Sequence, residues 1–152
     1  MQKLVFATNN KNKLEEIKAI LKDKYKIIGL KELGFYGDIA ETGHTLSENA
    51  YIKSSFVYDK YELNVFSDDT GLEIEALDNK PGVYSARYAG EDGNSEANIQ
   101  KVLKEMDGIT NRNARFRTII SLIMNGKEFQ FEGEVKGKID TQKQGDAGFG
   151  YD

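Results

Sequence analysis

The stretch Phe66–Gly93, FSDDTGLEIEALDNKPGVYSARYAGEDG, constrains this chain more than any other. Val65 and Phe66 end an apolar strand that delivers two adjacent carboxylates, Asp68 and Asp69. Paired carboxylates at the mouth of a strand suit a hard divalent cation, and Mg²⁺ prefers a few carboxylate oxygens completed by water and substrate phosphates. Thr70-Gly71 is expected to turn the chain. An alternating segment then places Leu72, Ile74 and Ala76 on one face and Glu73 and Glu75 on the other, the period-2 pattern of a half-buried strand. A Pro81-Gly82 turn leads into Tyr84, Ser85, Arg87 and Tyr88, a run dense in hydrogen-bonding groups.

Ahead of this stretch, Lys3–Thr8 reads as a buried strand and the polar loop Asn9-Asn10-Lys11-Asn12 follows it. A helix is expected from near Lys13, with Leu14, Ile17, Ile20 and Leu21 on its apolar face. Strand, polar loop and helix N-terminus is a geometry that suits phosphate, because free N–H groups and the positive dipole end point at the loop. The sequence TNNKNK lacks the GxxxxGK[ST] pattern, so taken alone it is better explained as a capped helix with solvated lysines. Tyr25–Leu30 reads as a second strand. Thr45 and Glu48 form a capping box that starts a helix near Leu46, with Leu46, Ala50, Phe56 or Val57, and Tyr61 buried. Asn49 and Lys53 share a face of that helix, and Glu41 lies in the loop before it.

Asn94 or Ser95 caps a third helix with Ile99, Val102, Leu103 and Met106 on its apolar face, ended by Asp107-Gly108. Ala114–Met124 carries apolar residues on both faces, as a central strand does. Asn125-Gly126 is a strong hairpin signal. Lys127–Gly133 is expected to return antiparallel, and Val135–Ile139 to continue the ladder after a glycine bend. The final GDAGFGYD reads either as a flexible tail or as a loop that brings backbone and an aromatic face to a flat ligand.

Composition removes several function classes. The 152 residues suit one domain with a real core. The absence of cysteine excludes disulfides, zinc-thiolate sites and thiol nucleophiles, and the single histidine, His44, excludes a multi-histidine metal site. A net charge of -4 argues against a general duplex-DNA binder. No apolar run approaches a membrane span, and the N-terminus carries no long apolar leader, so the cytoplasm is the expected location.

Four blocks, LVFATNNKNKLEEI (Leu4–Ile17), ETGHTLSENAYIK (Glu41–Lys53), the Ser67–Gly93 stretch and GFGYD (Gly148–Asp152), resemble the inosine triphosphate pyrophosphatases, also called non-canonical purine NTP pyrophosphatases. The resemblance runs over essentially the whole chain. It implies an elongated α/β fold in which a long twisted mixed sheet with flanking helices forms two lobes around a central cleft. It further implies Mg²⁺ as cofactor, a homodimer, and hydrolysis of ITP, dITP or XTP to the monophosphate and pyrophosphate, which cleanses the nucleotide pool. By the same resemblance Thr8, Asn9, Asn10, Lys11, Asn12 and Lys13 bind the triphosphate and Lys53 reaches the phosphates from its helix. Glu41, Asp68 and Asp69 hold the metal, and Asp69 acts as general base. Thr70 stands where the family often has serine. Phe149 stacks on the base, with Gly150, Tyr151 and Asp152 in the same recognition loop.

Family members usually continue past GFGYD into a strand, a helix, a lysine and a Ser-His-Arg motif that reads the purine 6-keto group. The chain is therefore expected to be a single domain lacking that C-terminal segment, and to discriminate ITP from ATP weakly. Two other readings stay open: a Maf-like pyrophosphatase of different base preference, and a core that binds nucleotide without turning it over.

Overall fold

The computed structural model describes residues 1–90 and 93–142. Its strands are β1 (Gln2–Phe6), β2 (Tyr25–Gly29), β3 (Val65–Ile74), β4 (Lys80–Gly82), β5 (Asn113–Met124) and β6 (Lys127–Lys138). Its α-helices are α1 (Lys11–Leu21), α2 (Leu46–Tyr61) and α3 (Ser95–Glu105). The six strands form a mixed sheet in the order β2-β1-β3-β5-β6, with β4 paired to β3. The α/β class and the mixed sheet expected from the sequence are both present. The chain divides into two compact units. One comprises Met1–Asp69 and Ile119–Glu132, the other Thr70–Thr118 and the residues from Gly133 on.

In the first unit β1 lies parallel to both β2 and β3. Its residues alternate between two cores, as a strand covered on both faces requires. Val5 and Ala7 pack with Leu30, Val57, Val65 and Ile123, where Val57 brings in α2. Leu4 and Phe6 pack with Ile27 and Phe66, and Leu14, Ile17 and Leu21 of α1 close over them. The Phe6 and Phe66 rings stack at 4.4 Å between centroids, across the two strands. Ile20, expected on the apolar face of α1, is 72% exposed. At 100° per residue it falls well off the arc defined by Leu14, Ile17 and Leu21.

Helix α2 begins as the capping box requires. The Thr45 hydroxyl accepts from the Glu48 N–H at 3.0 Å. Glu48 reaches back to the N–H of His44, one residue further than the standard box, at 2.6 Å. Leu46, Ala50 and Val57 are buried as expected, and Phe56 is exposed. Three serine hydroxyls sit in the interior beside them. Ser54 Oγ and Ser121 Oγ share a hydrogen bond of 2.8 Å, and Ser67 Oγ donates to the Ala50 carbonyl.

In the second unit two expectations are corrected. Thr70-Gly71 does not turn, because β3 runs unbroken from Val65 to Ile74. Thr70 is β-branched, which favours the extended chain, and its hydroxyl pairs with Thr118 Oγ1 of β5 at 2.7 Å. The turn expected at Pro81-Gly82 is present, with the Tyr84 N–H donating to the Pro81 carbonyl at 3.0 Å and Gly82 at φ 54°, while the reversal from β3 into β4 is made earlier, at Asp78 and Asn79, whose φ values are 55° and 64°. Lys80–Gly82 then pairs antiparallel with Leu72–Ile74. Glu73, placed by alternation on the polar face, is buried against Arg115 at 2.7 Å and Arg117 at 3.4 Å. Both arginines lie on β5, remote in sequence, so no local pattern announces them.

Leu72 and Ile74 form the core of this unit with Val102 and Met106 of α3. Asn94 caps α3 by accepting from the Ala97 N–H at 3.0 Å. β5 occupies the interior position expected of it. Asn125 and Gly126, at φ 52° and 79°, make the two-residue turn to β6, and so short a connection requires antiparallel strands. β6 continues through Gly133 and Gly137 to Lys138 without the anticipated bend.

Loss of the α2 cap isolates a local contribution. Thr45→Ala is expected to lower stability by about 1 kcal/mol. Urea unfolding would read this as a lower midpoint at unchanged m value.

Candidate functional site

The site is built where the first unit's elements converge. β1 ends at Phe6, and the loop that follows from Ala7 and Thr8 is tied down by its own side chains. Thr8 Oγ1 accepts from the Asn10 N–H at 3.0 Å. Asn10 Oδ1 caps α1 by accepting from the Lys13 N–H at 3.1 Å. Asn9 Nδ2 donates to Asp38 Oδ1 at 2.9 Å and to the Gly37 carbonyl at 3.2 Å. Thr8, Asn9 and Asn10 thus shape the loop, while Lys11 and Asn12 stand exposed on the first turn of α1. A cavity of ≈ 270 Å³ opens here, lined by Ala7, Thr8, Asn9, Leu30, Asp38, Ile39, Glu41 and Lys53.

Two lysines converge on the acidic groups. Lys13 Nζ lies 2.9 Å from Asp68 Oδ2. Lys53 Nζ lies 2.9 Å from Glu41 Oε1 and also donates to the Asp68 carbonyl. Each ammonium therefore has one carboxylate counter-ion, and Asp69 is left over. Burial drives the Asp69 pKa up from 3.8 to about 7. Lys53 pulls against that rise, Glu41 adds to it, a hydrogen bond from the Asn49 amide lowers it, and Asp68 raises it again. Asp69 Oδ2 is buried with no hydrogen-bond partner.

The structure thus brings together Thr8, Asn9, Lys13, Glu41, Lys53, Asp68 and Asp69. Thr70 belongs to the second unit, with its hydroxyl on Thr118. Phe149, Gly150, Tyr151 and Asp152 lie outside the described residues. Tyr88 and Ser85, from the hydrogen-bonding run, serve the second unit's own structure. Tyr88 donates to Glu105, and Ser85 Oγ accepts from the Leu72 N–H at 2.8 Å. The sequence did not single out Asn49 or Asp38. Asn49 is 1% exposed and accepts from the Gly43 N–H at 2.7 Å. Its only sequence signal is its place four residues before Lys53.

Among the described residues no three Asp, Glu or His side chains form a ready-made metal cage. The donors nevertheless fit a hard cation of the Mg²⁺ type, which takes one or two carboxylates and completes its shell with water and phosphate. The orphaned Oδ2 of Asp69 is the atom that such an ion would satisfy. Among the described residues no helix is long and apolar enough to cross a membrane.

Asp69 carries a testable cost. A carboxyl whose pKa is raised on folding holds its proton more tightly in the folded chain. Its stabilising effect is complete below the unfolded pKa of 3.8 and is lost as pH rises through about 7. Asp69→Asn is therefore expected to stabilise the metal-free protein at pH 8 by on the order of 2 kcal/mol, and to have little effect at pH 4. Paired thermal unfolding scans in EDTA at the two pH values would measure the difference.

A profile described as the Ham1 family matches residues 4–152. The dITP/XTP pyrophosphatase of Porphyromonas gingivalis is 53% identical, over 100% of this chain and 79% of its own length. That of Flavobacterium psychrophilum is 50% identical, over 98% of this chain and 78% of its own length. Among solved structures, the Staphylococcus aureus Ham1 protein superposes with a TM-score of 0.90 at 43% identity, covering 99% of this chain and 79% of that one. This chain belongs to the Ham1 family.

Proposed function

We propose that the chain is a nucleoside triphosphate pyrophosphatase that hydrolyses dITP, ITP and XTP to the monophosphate and pyrophosphate. One observation carries the reading. Lys13, Lys53, Glu41, Asp68 and a buried Asp69 converge beside a cavity lined by Thr8, Asn9, Glu41 and Lys53, in a chain 50% identical to a dITP/XTP pyrophosphatase over 98% of its length.

The chemistry follows from these groups. Lys13 and Lys53 can exchange their carboxylate partners for phosphate oxygens, joined by the N–H groups at the start of α1 and by Lys11 and Asn12. Asp69 accepts a proton from water as the water oxygen bonds to the α-phosphorus. The bond from that phosphorus to the bridging oxygen breaks, and pyrophosphate leaves with the electron pair. Glu41, Asp68 and Asp69 would hold Mg²⁺, which neutralises charge on the phosphates when bound.

Base recognition by Phe149, Gly150, Tyr151 and Asp152 belongs to this proposal. So do a single domain of elongated, two-lobed form, a homodimer and a cytoplasmic location.

Pyrophosphate release from dITP, ITP and XTP, with ATP and GTP alongside, is the direct test. Release from the deaminated nucleotides, abolished by EDTA and reduced ~10²-fold or more in Asp69→Asn, is expected. Binding of dITP without release would leave a binding-only core. Wild-type turnover in Asp69→Asn would remove the base from this assignment.

A further inference from the structure

Helix α2 presents two side chains on one face, Asn49 and Lys53, and both reach the same two segments. Lys53 joins the Glu41 carboxylate to the Asp68 carbonyl. Asn49 accepts from the Gly43 N–H at 2.7 Å, on the loop that carries Glu41, and its amide is turned to the Asp69 carboxylate. The close approach depends on Gly43. A Cβ there would stand 2.7 Å from Asn49 Oδ1 and 2.6 Å from Glu48 Cβ. Asn49 is also buried within a helix, where an asparagine is a poor helix former and needs partners for its amide. Its neighbours on the buried side, Leu46, Ala50 and Val57, are apolar.

We propose that Asn49 is a positioning residue for the acidic site, its amide fixing the Glu41 loop and the Asp69 carboxylate in one frame so that both can serve the same cation. Lys53 is a parallel tie, but it must release Glu41 when phosphate takes its ammonium. Asn49 is uncharged and has no such competitor, so it keeps the two segments together through that exchange. The inference rests on the pyrophosphatase reading, yet its test does not require turnover.

The measurement is the Mn²⁺ dissociation constant of the full chain without nucleotide, read by electron paramagnetic resonance and set beside kcat, nucleotide KM and melting temperature. Asn49→Ala removes the amide, and Asn49→Leu removes it while keeping the volume filled. Asn98→Ala is the structural control. Asn98 is an equally buried asparagine of α3 that accepts from the Ala89 N–H at 2.8 Å and donates to the Ala86 carbonyl at 2.9 Å.

Both Asn49 variants are expected to weaken Mn²⁺ binding ~10-fold or more, as loss of a group that orients metal ligands does, and to lower kcat with little change in KM. Asn98→Ala should lower the melting temperature and leave Mn²⁺ affinity alone. Wild-type Mn²⁺ affinity in Asn49→Leu would overturn the proposal whatever its melting temperature. Should the Asn49 variants fail to fold, Gly43→Ala, which pushes the loop off Asn49, decides by the same criterion. A wild-type chain that binds Mn²⁺ but releases no pyrophosphate would defeat the functional reading, while the comparison of variants would still judge Asn49. A wild-type chain that binds no Mn²⁺ would overturn both.

Discussion

The Lys53 ammonium, held between the Glu41 carboxylate and the Asp68 carbonyl, is the contact on which the rest of the site depends. Glu41, Asp68 and Asp69 are three acidic groups in a small, partly dry volume, where like charges repel far more strongly than in bulk water. Lys53 and Lys13 neutralise two of them. Burial raises the pKa of the third, Asp69, to about 7, with Glu41 and Asp68 adding to the rise. Lys53 can do this because α2 is fixed one turn later by Val57, which is fully buried against Val5 and Val65. The apolar packing of β1 and β3 therefore determines where a charge sits.

Strand order explains why the loops gather there. β1 is flanked by β2 on one side and β3 on the other, parallel to both. The chain leaves β1 through α1 toward β2, and leaves β2 to return through α2 to β3. From the carboxyl end of β1 the chain turns to β2 on one side, while β3 lies on the other, and such a switch point in an open α/β sheet leaves a crevice that loops can line. Thr8 stands at that end of β1. The cavity bordered by Thr8, Asn9, Asp38, Glu41 and Lys53 occupies this place.

Most of the first unit was legible because its signals are local. The Thr45–Glu48 box, the apolar run of β1 and the Asn125-Gly126 turn each require only a few neighbouring residues, and each formed. The acidic pair was legible at the mouth of its strand and its lysines through resemblance, while spacing alone favoured a capped helix with solvated lysines. The misreadings lie where partners are remote. Glu73 looked like a solvent-facing residue until Arg115 and Arg117 arrived from β5. Thr70-Gly71 looked like a turn because a lone glycine suggests one, but a paired Thr118 kept the strand extended. Asn49 was placed on the Lys53 face but given no role for the same reason: its partners are Gly43 and Asp69, and an asparagine among apolar helix positions has no pattern of its own.

The ion pairs also bear on why no finished metal cage is present among the described residues. Lys13 and Asp68 have side chains 30% and 15% exposed, so their pairing is partly screened and contributes little, on the order of 1 kcal/mol. A triphosphate offers both lysines a more highly charged anion, so exchanging one partner for the other costs little. The exchange frees Asp68 and Glu41 beside Asp69, and three unpaired carboxylates are unstable together without a cation. Nucleotide binding on the proposed reading thereby creates the demand for a divalent ion, and a bound ion in turn frees the lysines for phosphate. Reciprocity of this kind is a thermodynamic necessity for two ligands that share counter-ions. It lets a site that is electrically balanced at rest, and so compatible with a folded core, become strongly charged only when both ligands are present to neutralise it.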